Sequence, residues 1–313
     1  MTTEPNAQNT LITGGAGFIG THLARALVAQ GRSVRVLDRA EPSNRVAGVT
    51  YIRGDIRRRT DLMKALDDIH HVFHLAAIVS VPECEAFPEE SWTTNLEGTL
   101  TVARTLVETS HVRPSLVFAS SCAVYGNTGG SAPITETSKP LPLSIYARQK
   151  HLSEGALTRM EQEGLRSRIL RFFNVYGPGQ RSDSPYSGVI AAFKKRALEG
   201  RKLELHGGGN QTRDFVHVHD VVTALIAASE AQSISSQAVN IGTGVPIRVK
   251  DLATLVGKAL GKQLNLESTR PRDGDIEHSC ADVGRARSAL NWQPTVALEK
   301  GLRDLLLFPN DLS

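Results

Sequence analysis

The chain has 313 residues, 40% of them hydrophobic and 22% charged, and 36 Lys and Arg against 32 Asp and Glu leave a formal net charge of +4. This is the balance of an ordinary globular protein, long enough for one large domain or two closely joined ones. Short apolar stretches exclude a membrane span, and sparse aromatics with scattered basic residues argue against a nucleic-acid surface, whereas a mild positive balance suits anionic small ligands such as nucleotides.

Residues 1–10 are polar, lack the basic-then-apolar pattern of a secretory signal, and read as a loose tail. A short apolar strand is expected over 10–13 and a helix over 18–30, with Gly31 just past its end. Strands follow over 33–38 and 49–53, then a helix around 61–66 and a strand over 71–77. A long helix over 89–109, a strand over 116–121, a helix over 145–163 and a strand over 168–173 complete the series. The alternation predicts an α/β fold with a Rossmann-type, doubly wound parallel sheet. Past Asn174, Pro178, Gly179, Pro185 and Gly207-Gly208-Gly209 break the chain into loops and short elements. Helix and strand passages follow over 220–230 and 237–241, and the remainder reads as mainly helical, with a loop over 270–275. The expected organisation is a dinucleotide-binding domain of residues 9–174 and 215–243 with a smaller, interleaved C-terminal α/β substrate domain of 175–214 and 244–309. A ligand is expected in the cleft between them.

Three cysteines, Cys84, Cys122 and Cys280, are odd in number and form no Cys-x-x-Cys pair, which suggests free thiols and a cytoplasmic setting. The basic runs Arg57-Arg58-Arg59 and Lys194-Lys195-Arg196 read as solvated helix faces. His217 and His219 read as capping and packing residues, and His70, His71 and His74 likewise, so no metal is expected. Gly207-Gly208-Gly209-Asn210 reads as a flexible turn, because no helix-opening pattern follows it.

Two motifs carry chemistry. Thr13-Gly14-Gly15-Ala16-Gly17-Phe18-Ile19-Gly20 joins a strand to a helix, and its glycines let a pyrophosphate approach backbone N–H groups at the helix N-terminus. Asp38 ends the next strand, where a carboxylate can bond both ribose hydroxyls and repel a 2′-phosphate. NAD is therefore favoured over NADP, although Arg39 beside it leaves the phosphate open. The second motif is Tyr146-Ala147-Arg148-Gln149-Lys150, which puts a phenol and an ammonium on one helix face. A neighbouring ammonium favours the phenolate, so such a tyrosine can take a proton from a sugar hydroxyl and hand it back.

With these motifs the chain resembles the extended short-chain dehydrogenase/reductase family, and within it the nucleotide-sugar 4-epimerases of the UDP-glucose and UDP-N-acetylglucosamine type, from about Asn9 to about Leu306. The resemblance implies that Gly14, Gly17, Phe18, Ile19 and Gly20 cradle the NAD pyrophosphate. It puts Asp38 and Arg39 at the adenosine ribose, Asp55 and Ile56 beside the adenine, and Leu75, Ala76, Ala77 and Phe173 along the cofactor. Ser121, in Ser120-Ser121-Cys122-Ala123-Val124-Tyr125-Gly126, would bond the reacting sugar oxygen, with Tyr146 as acid/base and Lys150 as its partner, also bonding the nicotinamide ribose. Asn174 would contact the substrate near its diphosphate, with Ser80 and Val189 beside the substrate. Arg213 and Arg272 would grip the diphosphate, and Asp275 the uridine ribose. A homodimer is implied as well, with the long helices beginning near Glu89 and Ile145 paired across a two-fold axis.

Several reactions of such enzymes begin alike, with hydride leaving C4 as the tyrosine takes the hydroxyl proton. The related 4,6-dehydratases place an Asp-Glu pair directly after the active-site Ser or Thr, and the decarboxylases a Glu at the second position. Here Cys122 and Ala123 occupy those positions and cannot act that way. The expected reaction is therefore C4 epimerisation through a transient 4-keto sugar, with NAD regenerated each cycle. Ser279 stands where a bulky Tyr restricts some 4-epimerases, so both UDP-glucose/UDP-galactose and their 2-acetamido counterparts are expected to fit. Uracil against thymine stays open. The alternatives are a 4-ketoreductase on a deoxysugar nucleotide, which would consume NAD(P)H, and a non-catalytic dinucleotide sensor, which would need no proton-transfer tyrosine.

Overall fold

The computed structural model describes residues 9–109, 113–180, 188–231, 237–271 and 275–307. In chain order the elements are β1 (Thr10–Thr13), α1 (Phe18–Ala29), β2 (Val34–Asp38), β3 (Val49–Arg53), α2 (Arg59–Ala65), β4 (His71–His74), α3 (Val81–Ala86), α4 (Pro88–Trp92), α5 (Gly98–Thr109), β5 (Ser115–Ser121), α6 (Ile145–Met160), β6 (Arg166–Phe172), β7 (Asn174–Tyr176), α7 (Val189–Leu198), β8 (Leu203–His206), β9 (Thr212–His217), α8 (Val218–Glu230), β10 (Ala238–Ile241), β11 (Pro246–Arg248), α9 (Val249–Leu260), β12 (Leu266–Thr269), β13 (His278–Ser279), α10 (Gly284–Leu290) and α11 (Leu298–Leu307).

Seven strands make one sheet in the order β10-β6-β5-β4-β1-β2-β3. The pairs β1–β2, β2–β3, β1–β4 and β4–β5 are parallel. The chain winds outward from β1 through β2 and β3, then returns to place β4 on the other side of β1. That reversal makes the carboxyl ends of β1 and β4 the switch point at which open α/β sheets bind ligands. All four residues of β1 and all but the last of β5 are buried, as strands covered on both faces must be.

The chain divides into two compact units. One runs from the N-terminus to Ser121 and includes Ser144–Arg171 and Val222–Val239; the other holds Cys122–Leu143, Phe172–Val221 and the residues from Asn240 on. In the first unit Leu11, Leu37, Val72 and Leu116 of the sheet pack with Leu62 of α2, Leu106 of α5 and Leu157 of α6. The helix expected over 89–109 forms as α4, a π-helical turn at Thr93–Glu97, and α5. The strand expected over 71–77 stops at His74, and Leu75 N bonds Thr13 O at 3.0 Å as the chain leaves the sheet.

The second unit corrects the reading of its sequence as loops and then mainly helix. It contains a four-stranded sheet, β11-β9-β13 with β7 also on β9, and a parallel pair of β12 with β8. These strands are two to six residues long, too short for an alternating pattern to show. Their core joins Phe215, Leu203 and Leu205 to Phe193 of α7, Leu252 and Val256 of α9, and Leu302 and Leu305 of α11. The Gly207–Gly209 turn closes tightly, with φ of +59°, +72° and +70°, so three consecutive left-handed residues explain three consecutive glycines. No helix among the described residues is long and apolar enough to cross a membrane.

Asp220, near the start of α8, is fully buried and ties down the approach to α11. Its carboxylate accepts from Thr295 N (2.9 Å), Thr295 Oγ1 (2.8 Å) and Val296 N (3.0 Å), and Trp292 Nε1 donates to its carbonyl. Asp220→Ala leaves those buried donors unmatched and should lower the unfolding free energy by about 3 kcal/mol in urea denaturation.

Candidate active site

The turn between β1 and α1 is shaped by what it must approach. Gly14 has φ +73°, and a Cβ there would stand 2.6 Å from Ala76 N, so the turn lies directly against the chain leaving β4. A Cβ on Gly20 would fall 2.5 Å from Gly15 Cα, which brings the first turn of α1 close onto the glycine loop. Helix α1 is capped by Gly17 with no side-chain bond and has no acidic residue in its first turn. Its first turn therefore offers backbone N–H groups and a dipole that no residue of the helix itself neutralises. Asp38, at the end of β2, accepts from Ala16 N (3.0 Å) and Ala40 N (2.9 Å), which holds one carboxylate over the same turn. This set of donors and one fixed acceptor fits a dinucleotide pyrophosphate and ribose. Phe18, at the helix start, sets its ring edge-on to His22, and Ile19 follows it in the first turn. Arg39 lies 3.5 Å from Glu90.

Asp55 is held by Arg57, which donates through Nε (3.0 Å), Nη2 (2.6 Å) and its backbone N (3.0 Å); that hydrogen bonding lowers the carboxyl's pKa. Ile56 is buried against the start of α5, where a Cβ on Gly98 would meet its Cδ1 at 2.7 Å. Leu75, Ala76 and Ala77 follow β4 past the glycine loop. Beneath them His74 bridges Thr13 Oγ1 (2.7 Å) and Thr99 Oγ1 (2.9 Å), and Thr99 gives its one hydroxyl hydrogen to Asn95 O (2.6 Å). Thr99 must then accept from His74 Nε2–H, leaving Nδ1 to accept from Thr13. Burial, with Lys150 adding to it, holds His74 neutral by lowering its pKa to about 3.

Helix α6 begins behind Ser144, whose hydroxyl accepts from Ala147 N (3.2 Å), and Ile145 N donates to Glu85 (2.8 Å). These contacts fix the first turn, which carries Tyr146. Lys150, one turn on, is 3% exposed. Its Nζ donates to Ala119 O at 2.7 Å and lies 4.7 Å from the Phe118 ring centroid and 5.9 Å from that of Tyr146. The lysine thus links the helix bearing Tyr146 to the strand that ends in Ser121. Burial lowers its pKa to about 8, opposed by Glu154 and Cys84.

Asn95 and Gln149 escaped the sequence reading. Asn95, in the π-helical turn, accepts from Ile78 N (2.7 Å) and donates to Ile78 O (2.9 Å) and to Gln149 Oε1 (2.7 Å), while Gln149 Nε2 donates to Ser91 Oγ (2.8 Å). Together they brace the segment that follows Leu75-Ala76-Ala77. The available signal was an amide inside an otherwise regular helix, a place that rarely suits Asn. Ser80 caps α3, accepting from Glu83 N at 3.2 Å.

In the second unit Arg213 and Asp275 come together. Arg213 Nη2 donates to Asp275 Oδ1 (2.5 Å) and Nη1 to Ile276 O (2.5 Å), and Gln211 Nε2 reaches Asp275 Oδ2 (3.2 Å). Asn174 Nδ2 donates to Asp214 O (3.0 Å). The buried Asp214 carboxylate gathers Thr243 N (2.7 Å), Thr243 Oγ1 (2.6 Å), Gly244 N (2.9 Å) and Ala281 N (3.1 Å); burial raises its pKa against the pull of these bonds. Ser279 is buried at the end of β13, its Oγ 3.9 Å from Cys122 Sγ. Burial pushes the Cys122 thiol up to about 11, so it is no nucleophile at neutral pH. Phe173 sits in a small apolar cluster with Tyr125 and Val283. Val189 opens α7 and packs on the core of the second unit. Arg272 lies outside the described residues. His217 Nδ1 accepts from His219 N at 3.2 Å and its ring meets Tyr176 edge-on. Among the described residues no group of His, Cys, Asp and Glu could hold a metal ion.

A family model described as the NAD dependent epimerase/dehydratase family matches residues 10–242. The chain is 35% identical over 310 residues to a UDP-glucose 4-epimerase of Mycolicibacterium smegmatis, covering 96% of this chain and 97% of that one. It is 31% identical to a UDP-N-acetyl-alpha-D-glucosaminuronate decarboxylase of Bacillus cytotoxicus, covering 95% and 96%. Among solved structures, the UDP-glucose 4-epimerase of Thermotoga maritima with UDP-glucose superposes with a TM-score of 0.90 at 32% identity, covering 96% and 98%.

The buried lysine gives a pH signature. Its pKa is depressed on folding, so between about 8 and 10.5 the unfolded chain binds more protons than the folded one. The destabilisation it causes is full below that window and fades as pH rises through it. Urea denaturation from pH 7 to 10.5 should show wild type gaining stability relative to Lys150→Met, and parallel curves would contradict a depressed lysine.

Proposed function

The chain belongs to the NAD dependent epimerase/dehydratase family, and from that premise we propose that it interconverts UDP-hexoses at C4, acting on UDP-glucose/UDP-galactose and on their 2-acetamido counterparts. The observation that carries this reading is the buried Lys150, held between Ala119 O and the Tyr146 ring, with Cys122 and Ala123 next along the chain from Ser121.

When bound, NAD supplies a reversible hydride acceptor. In this reading Gly14, Gly17, Phe18, Ile19 and Gly20 hold the pyrophosphate, Asp38 the adenosine ribose, and Asp55, Ile56, Leu75, Ala76, Ala77 and Phe173 the rest. Tyr146 takes the C4 hydroxyl proton, Lys150 stabilises the phenolate, and Ser121 bonds the reacting oxygen. Beyond Ser121 the chain offers a protonated thiol and a methyl group. Neither moves a proton, so nothing drives the 4-keto sugar towards elimination, and Tyr146 returns its proton after the sugar has turned its other face. A decarboxylase such as the Bacillus relative is less well served, because Ala123 supplies no carboxyl group.

Arg213, Arg272 and Asp275 would hold the nucleotide, with Asn174 at the diphosphate, Ser80 and Val189 beside the substrate, and Ser279 leaving space for an acetamido group. The dinucleotide would then belong to residues 9–174 and 215–243 and the sugar nucleotide to 175–214 and 244–309. The reading extends to a cytoplasmic homodimer joined through α5 and α6; Leu152 on α6, an apolar side chain about half exposed, suits such a face.

Proton NMR of the purified protein with UDP-glucose, UDP-N-acetylglucosamine or dTDP-glucose, without added cofactor, should show the C4 epimer appear. A requirement for stoichiometric reductant would identify a ketoreductase instead. Tyr146→Phe should keep its NAD and lose about 10³-fold in turnover, and unchanged turnover would defeat the mechanism. Ser279→Tyr should reduce activity on acetylated sugars more than on plain hexoses; equal losses would refute the space assigned to Ser279.

A further inference from the structure

Next to the proton-transfer pair lies a buried ion pair to which neither motif assigned a part. Glu154 follows Lys150 by one turn on α6, so Tyr146, Lys150 and Glu154 run down a single helix face. Ser120 Oγ donates to Glu154 Oε1 at 2.5 Å. Arg171, at the end of β6, grips the same carboxylate in two places, Nε to Oε1 (2.9 Å) and Nη2 to Oε2 (2.6 Å). Ser120, Glu154 and Arg171 are all buried. A carboxylate taken from water at this expense seldom improves stability over an apolar substitute, so the fold alone gives little reason for it.

Its placement gives a reason. Two side chains of α6 hook onto two successive residues of β5: Lys150 on Ala119 O and Glu154 on Ser120 Oγ. The next residue of that strand is Ser121, and the helix carries Tyr146 one turn before Lys150. The two hooks therefore set the axial register of helix against strand, and with it the placement of the serine hydroxyl relative to the phenol. Glu154 is also the principal negative charge acting on the buried ammonium. Among the described residues the other titratable groups acting with Lys150 are Tyr146 on its own helix, Cys84 on α3 and the neutral His74 on β4. The acidic residues Glu83, Glu85, Glu89, Glu90 and Glu97 of the neighbouring helical turns are exposed.

We infer that Glu154 is a positioning residue for proton transfer: clamped by Arg171 and Ser120, it locks helix α6 in register with the end of β5 and keeps a negative charge beside Lys150. This rests on the reading of Tyr146 and Lys150 given above. Without Glu154, burial acts on the lysine with its main opposition removed, and the ammonium is lost at a lower pH.

The test compares wild type, Glu154→Gln, and the double variant Glu154→Gln/Arg171→Met, in which no buried guanidinium is left without its partner. Lysine labelled with ¹³C at Cε reports the Lys150 titration by NMR without any turnover. The titration should move down in both variants, by about one pH unit in Glu154→Gln, the scale of one neighbouring charge, and by less in the double variant, which also loses the Arg171 cation. The alkaline limb of kcat for C4 epimerisation should follow it, with KM little changed. An unmoved titration and an unmoved alkaline limb in the folded double variant would overturn the inference, whatever happens to Tm. If Glu154→Gln alone fails to fold, the double variant decides. Failure of wild type to epimerise any sugar nucleotide would count against the proposed reaction, while the lysine titration would still test the charge of Glu154.

Discussion

A lysine ammonium without water must take its solvation from the protein, and much of the first unit is arranged around meeting that need at Lys150. The carbonyl of Ala119, the face of Phe118 and the charge of Glu154 together replace a hydration shell. Each substitute comes from a defined place: a strand end, a ring on the same strand, the next turn of the same helix. Satisfying the ammonium therefore also locates α6 on β5. The same contacts that make burial tolerable fix the helix that carries Tyr146 against the strand that ends in Ser121, the two groups to which proton transfer is assigned in the proposed reaction.

Burial acts on other groups with different results. His74 escapes the penalty by staying neutral, and its two ring nitrogens are used up between two threonines. The cysteines respond in the same sense, Cys84, Cys122 and Cys280 all being raised above the ordinary thiol range by burial. Asp214 remains an acceptor only because four donors converge on it, and in doing so it gathers the turn at Thr243 and Gly244 and the segment at Ala281 onto β9. His74 and the cysteines stay neutral, whereas Asp214 and Asp220 are each the centre of a small converging set that holds loop segments in place.

What could be seen in the sequence follows from how local each signal is. The β1–turn–α1 passage was legible because its glycines and Asp38 act within one supersecondary unit. The Tyr146 to Lys150 spacing was legible because helical geometry alone puts the two on one face. The strands around β9 were not, since β11 and β13 have only two or three residues and owe their existence to partners far along the chain. Asn95 was missed for a related reason. Its importance lies in bonds to Ile78 and Gln149, which are distant in sequence, and the π-helical turn that carries it leaves no periodic mark. Glu154 was visible as one more helix residue, and only its bonds to Ser120 and Arg171 distinguish it.

The pairing of Arg213 with Asp275 bears on how tightly these two residues could hold the nucleotide proposed for them. Both groups already satisfy each other, and Arg213 is further occupied by the carbonyls of Thr212 and Ile276. If Arg213 grips a diphosphate as proposed, the arriving anion would compete with an existing ionic contact instead of meeting an idle cation, so its affinity would be the difference between two favourable arrangements. For the proposed interconversion, in which substrate and product carry the same nucleotide, each would have to leave as readily as the other enters. The internal ion pair would then act as a built-in competitor that shortens residence time in both directions.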